Sequence, residues 1–441
     1  GGPLTDYIAD LPTIFADLRR REILKAAREV VLSDYHNTMM AAGDALEDEL
    51  SSAGNIGDPQ AALELSVSFA MQKLKFDPCQ TSLAACRLLK LVHDVMNQAS
   101  AGAKSVSTNS GAGSGIGASA QVAHALFQSA RDCLELFMAI VPMQFADVID
   151  TVPRMGGVFY NDCLYIAHNC TLITHKYRQL MGRIDPSLEQ SVGFADFIPR
   201  FRSLGDRCLA RHVEEQRVAL MELVSKVRIC ANGEGVEDLD EEAAAAVTGG
   251  VGMRGGLLRG GLALAGKISN KLKAGGSMGS SSGSRHNDDD SAVLVRRHME
   301  RLSSQWLGVL QEAVYERLMG HLLDLVLREA MKPILTADCV SEAAGAEVSR
   351  VYRSLQHIRL VFPSAEGGSD NEALQRVCGS WVKFLALTDL LEFSLSDVAE
   401  WLPRKKFATF TGSEMTALIK ALFEDTPRRQ TLLASILQMS S

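Results

Sequence analysis

The sequence predicts an all-α protein, and three observations carry that expectation. Apolar residues recur at three- and four-residue steps through nearly every block, whereas sustained strict alternation, the mark of a half-buried strand, is scarce. Leu and Ala are the most abundant residues, with Arg and Glu frequent, and these side chains lose little rotamer freedom in a helix. Only 6% of the residues are aromatic and only 12 of the 441 are proline, so little in the composition breaks helices.

Taken in order, the periodicity predicts helices at 12–50, 60–75, 79–98, 120–140, 156–182, 205–231, 291–331, 337–362, 371–402 and 412–438. Several ends have local signatures. Thr411 and Glu414 fit a capping box, in which each side chain satisfies a free backbone N–H at a helix start. Thr426 followed by Pro427 reads as an N-cap and a first helical position, which breaks the last helix near Asp425. Pro142, Pro153, Pro199, Pro333, Pro363 and Pro403 fall between periodic blocks or near their ends.

Two stretches differ in composition. Residues 99–119, containing SAGAKSVSTNSGAGSGIGAS, read as a Gly/Ser-rich linker. Residues 232–290 open acidic (EGVEDLDEE), turn glycine-rich and basic, and end in GGSMGSSSGSRHNDDD; a disordered insert is expected there. The expected division is a helical bundle at 1–98, the linker, a second bundle at 120–231, the insert, and a C-terminal bundle at 291–441. No repeat of 20–50 residues appears, which argues against a regular solenoid.

A formal net charge of -8 disfavours a nucleic-acid binder dominated by phosphate contacts. The nine cysteines are scattered and form no CxxC pair, so reduced thiols in a cytosolic protein are expected. No run of eighteen apolar residues occurs, so no membrane-spanning helix is expected. The opening GGPLTDYIAD has no initiator Met, and a fragment of a longer chain is the expectation.

The stretch FYNDCLYIAHNCTLITHKYRQL, 159–180, places Cys163, His168, Cys170 and His175 within thirteen residues and invites a metal reading. Yet Phe159, Cys163, Ile166, Cys170, Ile173, Tyr177 and Leu180 step by four and three along one stripe. At about 100° per residue, each histidine sits about 140° around from the cysteine five residues before it. One tetrahedral zinc, with bonds of about 2–2.3 Å, cannot gather all four from one helix. A packing helix is the expectation, with no metal.

Gly250, Gly252 and Gly255 spell GxGxxG, and GLALAGKI nearly spells a P-loop. Both need a preceding strand, and the helix-forming EEAAAAVTGG precedes them instead. A membrane-surface or acidic-partner contact by the basic stretch 254–273 competes with a solvated loop. No GxSxG elbow or HExxH helix is present. No catalytic, cofactor-binding or metal-binding residue is therefore expected, and Trp306, Trp381 and Trp401 are expected in the core.

Four segments carry a family likeness: LKAAREVVLSDYHNTM (24–39), FYNDCLYIAHNC (159–170), FADFIPRFRSLGDRCLARHVEEQRVALMELV (194–224) and MTALIKALFEDTPRRQTLLASI (415–436). In this order they resemble the C-terminal half of the Zeste-White-ten family, with ALIKALFEDTPRR the most specific block. The family's N-terminal half is expected to be missing from this sequence. The resemblance implies an elongated rod of stacked helical bundles, similar to tethering-complex (CATCHR-type) subunits, and no enzyme activity. It implies an adaptor in Golgi-to-ER vesicle tethering, peripheral on the endoplasmic reticulum. It also implies a place in the Rod–Zwilch kinetochore complex that serves dynein recruitment and the mitotic checkpoint. The implied partners are a large solenoid protein, Rod-like or neuroblastoma-amplified-like, with RINT-like or Zwilch-like subunits and SNAREs. A generic helical scaffold and a nucleotide-binding protein using the Gly-rich insert are the alternatives.

Partner contacts are expected near helix ends. Arg428 and Arg429 open the last helix, where positive charge does not help the helix dipole, and are the candidate partner-binding residues. An ion pair with Glu424 or Asp425 is the competing reading of that pair.

Overall fold

A computed structural model describes residues 3–41, 76–106, 113–227, 287–362 and 370–440. It is built from helices α1 (Pro3–Val31), α2 (Leu83–Val106), α3 (Gly113–Gln144), α4 (Ala146–Thr151), α5 (Pro153–Gly182), α6 (Pro186–Ser191) and α7 (Phe197–Ser225). These are followed by α8 (Asn287–Trp306), α9 (Glu312–Leu335), α10 (Glu342–Gln356), α11 (Asp370–Val377), α12 (Trp381–Glu392), α13 (Leu395–Trp401), α14 (Gly412–Leu422) and α15 (Pro427–Ser440). One short antiparallel ribbon, β1 (Thr38–Ala41) against β2 (Cys79–Ser82), interrupts the otherwise all-α order. The expected helix at 60–75 and nearly all of the expected insert lie outside the described residues.

The ribbon corrects two sequence expectations. The helix expected at 12–50 ends at Val31, where the Ser33 hydroxyl binds the Val30 carbonyl and Asp34 accepts the His36 amide. These short polar side chains offer the backbone a turn in place of further helical bonds. Residues 79–82, expected as helix, are strand because they pair with Thr38–Ala41 and because Gln80 N–H reaches the Val309 carbonyl at 3.0 Å. Ser82 then caps α2, its hydroxyl accepting from Ala85 N–H at 3.1 Å.

Helix α2 runs on to Val106 and α3 starts at Gly113, so helix enters both ends of the stretch expected to be a linker. Extending an existing helix adds one hydrogen bond per residue fixed, which a Ser/Ala-rich segment tolerates. The blocks expected as single helices at 291–331 and 371–402 are divided. Gly308, at φ 72°, closes the end of α8 in the left-handed conformation that glycine adopts without strain. A capping box of Ser394 and Asp397 starts α13.

The chain forms two compact units, Gly1–His212 with Gln305–Tyr315, and Val213–Ser304 with Glu316–Ser441. In the first, α1 and α2 pack against α3, and α5 packs against α2. Residues on both sides of 99–119 contribute to a single core, from Ile23 and Leu88 through Phe137 to Phe201. Aromatic rings run through it: Phe127 lies 5.4 Å from Phe194, and Phe137 stacks on Phe159 at 6.5 Å. Fully burying each such ring is worth about 1.5–3 kcal/mol.

In the second unit α9 buries Met319, Leu322, Leu323, Val326, Leu327 and Ile334. Helix α10 packs against α12, where the Tyr352 and Phe384 rings meet at 5.0 Å and Tyr352 donates to the Ala330 carbonyl at 2.8 Å. Helices α14 and α15 form a hairpin. The Thr411–Glu414 capping box and the break before Pro427 stand where the sequence places them. No described helix is long and apolar enough to cross a membrane.

Candidate functional site

The Cys/His stretch lies on α5. Phe159, Cys163, Ile166, Cys170, Ile173 and Tyr177 are all buried, and Met181, instead of Leu180, completes the row. His168 is half-buried with its ring 5.2 Å from Phe76, while His175 is exposed. The two histidines therefore lie off the buried stripe that the two cysteines share. Burial pushes the Cys170 thiol up to about 12 and that of Cys163 well above its ordinary value, so both stay protonated. Burial, then the Arg202 charge, lowers the pKa of His168.

Sequence reasoning missed how completely α5 is enclosed. Asn161, Asp162 and Asn169, off the stripe, are buried as well. Asp162 Oδ2 accepts from Tyr35 O–H at 2.5 Å and from Ser82 O–H at 2.6 Å, while Oδ1 accepts from Ser82 N–H at 2.7 Å. One carboxyl thus ties the turn after α1, the ribbon and α5 together. Burial raises Asp162 to about 7, and the Ser82 and Tyr35 donors pull it back from a higher value. Next to it, Asn161 Nδ2 donates to the Gln80 and Val309 carbonyls, each at 2.8 Å. A readable signal was the Gly156–Gly157 pair at the start of α5. A Cβ at Gly156 would overlap the buried His212 ring, and one at Gly157 would press on Leu310.

A second polar cluster joins α2 to α5. Tyr177 donates to Asn97 Oδ1 at 2.6 Å, and Lys176 Nζ lies 2.9 Å from His93 Nε2. Burial, then the Lys176 charge, lowers His93 to about 4, so it is neutral near pH 7. In the other unit Asp324 on α9 accepts from Ser380 N–H at 2.7 Å and pairs with Arg328 at 2.7 Å, which caps α12 from outside that helix.

Arg429 is tied into its own turn. It donates to the Phe423 carbonyl at 2.6 Å, pairs with Asp425 at 2.9 Å, and has 15% of its side chain exposed. Arg428 is exposed. Trp306 and Trp381 are in the core, whereas Trp401 is only half-buried. Its ring carries Arg404 and Lys406 at 4.8 Å each. In the segment after α13, Lys405 takes φ 58°.

Fold and side chains define a class: an all-α protein whose buried polar groups join its own elements. Residues 74–222 match the family model described as "Centromere/kinetochore protein zw10, C-terminal", and residues 291–436 match "ZW10 C-terminal helical domain". The chain belongs to the Zeste-White-ten (zw10) family. Among curated relatives, the "Centromere/kinetochore protein zw10 homolog" of Rattus norvegicus is 25% identical over 98% of this chain and 50% of its own length. The Arabidopsis thaliana homolog is 22% identical over 98% of this chain and 47% of its own. The Drosophila melanogaster "Centromere/kinetochore protein zw10" is 29% identical over 32% of this chain and 20% of its own. The chain thus spans about half the length of the relatives that it matches throughout.

Proposed function

We propose that this chain is a non-catalytic adaptor subunit that acts by presenting helical surfaces to other proteins. The observation that carries the reading is the match to two zw10 family models, placed in both structural units. The relatives' names point to the centromere and kinetochore as one place of action. Family resemblance adds a second, the peripheral face of the endoplasmic reticulum in capture of Golgi-derived vesicles. Partners in the two settings are a Rod-like or a neuroblastoma-amplified-like solenoid, joined by Zwilch-like or RINT-like subunits and SNAREs.

Seven of the eight described thiols are buried or half-buried, and no cluster of three or more metal-ligating side chains occurs among the described residues. Arg428 is the member of the arginine pair left exposed for a partner, since Arg429 serves the turn between α14 and α15. The test is size-exclusion chromatography of the folded chain with each solenoid partner. Co-elution with either supports the reading, and separate elution from both overturns it. Fluorescently tagged full-length protein in dividing cells separates the two settings.

A further inference from the structure

Helices α5 and α7 run side by side in opposite directions, with Gly205 of α7 against Cys163 and Gly156 of α5 against His212. Their outer seam holds an open cleft of about 440 Å³. Thr171, His175, Arg178 and Gln179 of α5 line it, together with Glu189 of α6 and Ile198 of α7. Arg178 Nε donates to the Glu189 backbone carbonyl at 2.9 Å, which orients the guanidinium. Its two terminal nitrogens have no partner among the described residues. Arg202, one turn beyond Ile198 on α7, is exposed, and its charge reaches His168. It too makes no ion pair among the described residues.

His168, Thr171, His175 and Arg178 step by three, four and three along one stripe of α5. With Arg202 beside His168, the two arginines stand ten helical residues apart along the seam, about 15 Å. An acid closes each end of this run. One turn past Arg178, a Cβ at Gly182 would stand 2.9 Å from Glu189 Oε2. One turn past Arg202 comes exposed Asp206, whose charge reaches Cys163. Neither carboxylate is held in an ion pair among the described residues. Along the seam the charges therefore read acid, arginine, arginine, acid.

We propose that this seam binds an extended segment of another protein, one with an acidic centre and basic ends. In an extended chain alternate side chains share a face, and each residue advances about 3.3 Å. Two carboxylates four residues apart span about 13 Å and reach both arginines, each offering parallel N–H donors to a carboxylate. A lysine two residues outside each carboxylate then meets Glu189 or Asp206. A helical occupant would need a continuous apolar face to dock on, and Ala195 and Ile198 supply only a short apolar wall. Nucleic acid or an anionic lipid surface would meet Glu189 and Asp206 with repulsion. Charge order of this kind sets partner choice more than total affinity. The inference is independent of the solenoid partners proposed above.

The probe is a fluorescent nonapeptide with lysine at its first and last positions, glutamate at the third and seventh, and serine elsewhere. Its twin has the lysines and glutamates exchanged, so the two share composition and net charge and differ only in charge order. Anisotropy with the whole chain at low salt should show the first peptide binding about tenfold tighter than the twin, as expected for four exposed charge pairs. The double substitution Arg178→Glu and Arg202→Glu, at exposed positions, should erase that preference while leaving the circular dichroism spectrum unchanged. Adding Glu189→Arg and Asp206→Arg should turn the preference toward the twin, a gain of binding that a misfolded chain does not give. Equal binding of both peptides by the unaltered chain, tighter binding of the twin, or no binding of either would overturn the proposal. So would a preference that survives the double substitution, or tighter binding of a nine-residue oligothymidylate than of the first peptide.

Discussion

Replacing Asp162 by asparagine tests the central joint of the first unit. The carboxyl is buried and has three neutral donors, Tyr35 O–H, Ser82 O–H and Ser82 N–H, and forms no ion pair among the described residues. Its folded value of about 7 lies above the ordinary 3.8, so the folded protein holds that proton more tightly than the unfolded chain. The stability it contributes is complete below about pH 4 and is lost as pH rises through 7. At about 1.4 kcal/mol per pKa unit, the loss is on the order of 4 kcal/mol. Asparagine does not titrate, but its amide offers donors where Oδ2 accepted two hydroxyls, which costs about 1–3 kcal/mol at every pH. The wild type should therefore exceed Asp162→Asn in stability near pH 4. That advantage should shrink by several kcal/mol, or reverse, by pH 8. Urea unfolding of both proteins across this range, followed by circular dichroism, measures the difference and cancels every other titrating group. A difference that does not change with pH would refute the reasoning, because it would mean that the three donors outweigh burial.

Other substitutions probe the same packing logic. Gly156→Ala should destabilise by about 1–3 kcal/mol in thermal unfolding, because the new methyl displaces His212 from its contact with the Ile149 carbonyl at 2.6 Å. The ordinary helical gain from glycine to alanine, about 1 kcal/mol, should fail to appear. Gly320→Ala should act alike in the second unit, since a Cβ there would stand 2.6 Å from the Val377 carbonyl oxygen. Arg429→Ala should cost about 1–3 kcal/mol by removing charged bonds to the Phe423 carbonyl and Asp425, whereas Arg428→Ala should stay within about 0.5 kcal/mol. His93, held near 4, should make the protein lose stability as pH falls from 6.5 through 4, and His93→Gln should flatten that limb of the profile.

How much of this was legible in the sequence depends on how far each interaction reaches along the chain. The Thr411–Glu414 box and the Thr426–Pro427 break involve neighbours within three residues, so local spacing announces them. The stripe from Phe159 to Tyr177 is also local, because its period alone shows the face that must be buried. The ribbon is different. Residues 79–82 become strand through Thr38–Ala41, Val309 and Asp162, and nothing within a helical window signals partners so distant. The roles of Asp162 and Asn161 went unread for a related reason. A polar residue off an apolar stripe ordinarily faces water, and only a helix covered on several sides reverses that inference. The linker at 99–119 was judged by composition, which does not register the helices that enter it from both ends.

The most direct test of the account is the state of α5 in the native protein. Zinc content and alkylation by iodoacetamide, mapped by mass spectrometry, can be read on one folded sample. The expected result is no stoichiometric zinc, rapid modification of exposed Cys339, and protection of Cys163 and Cys170 until the chain is unfolded. One zinc per chain bound through those two thiols, or their alkylation as fast as that of Cys339, would contradict it.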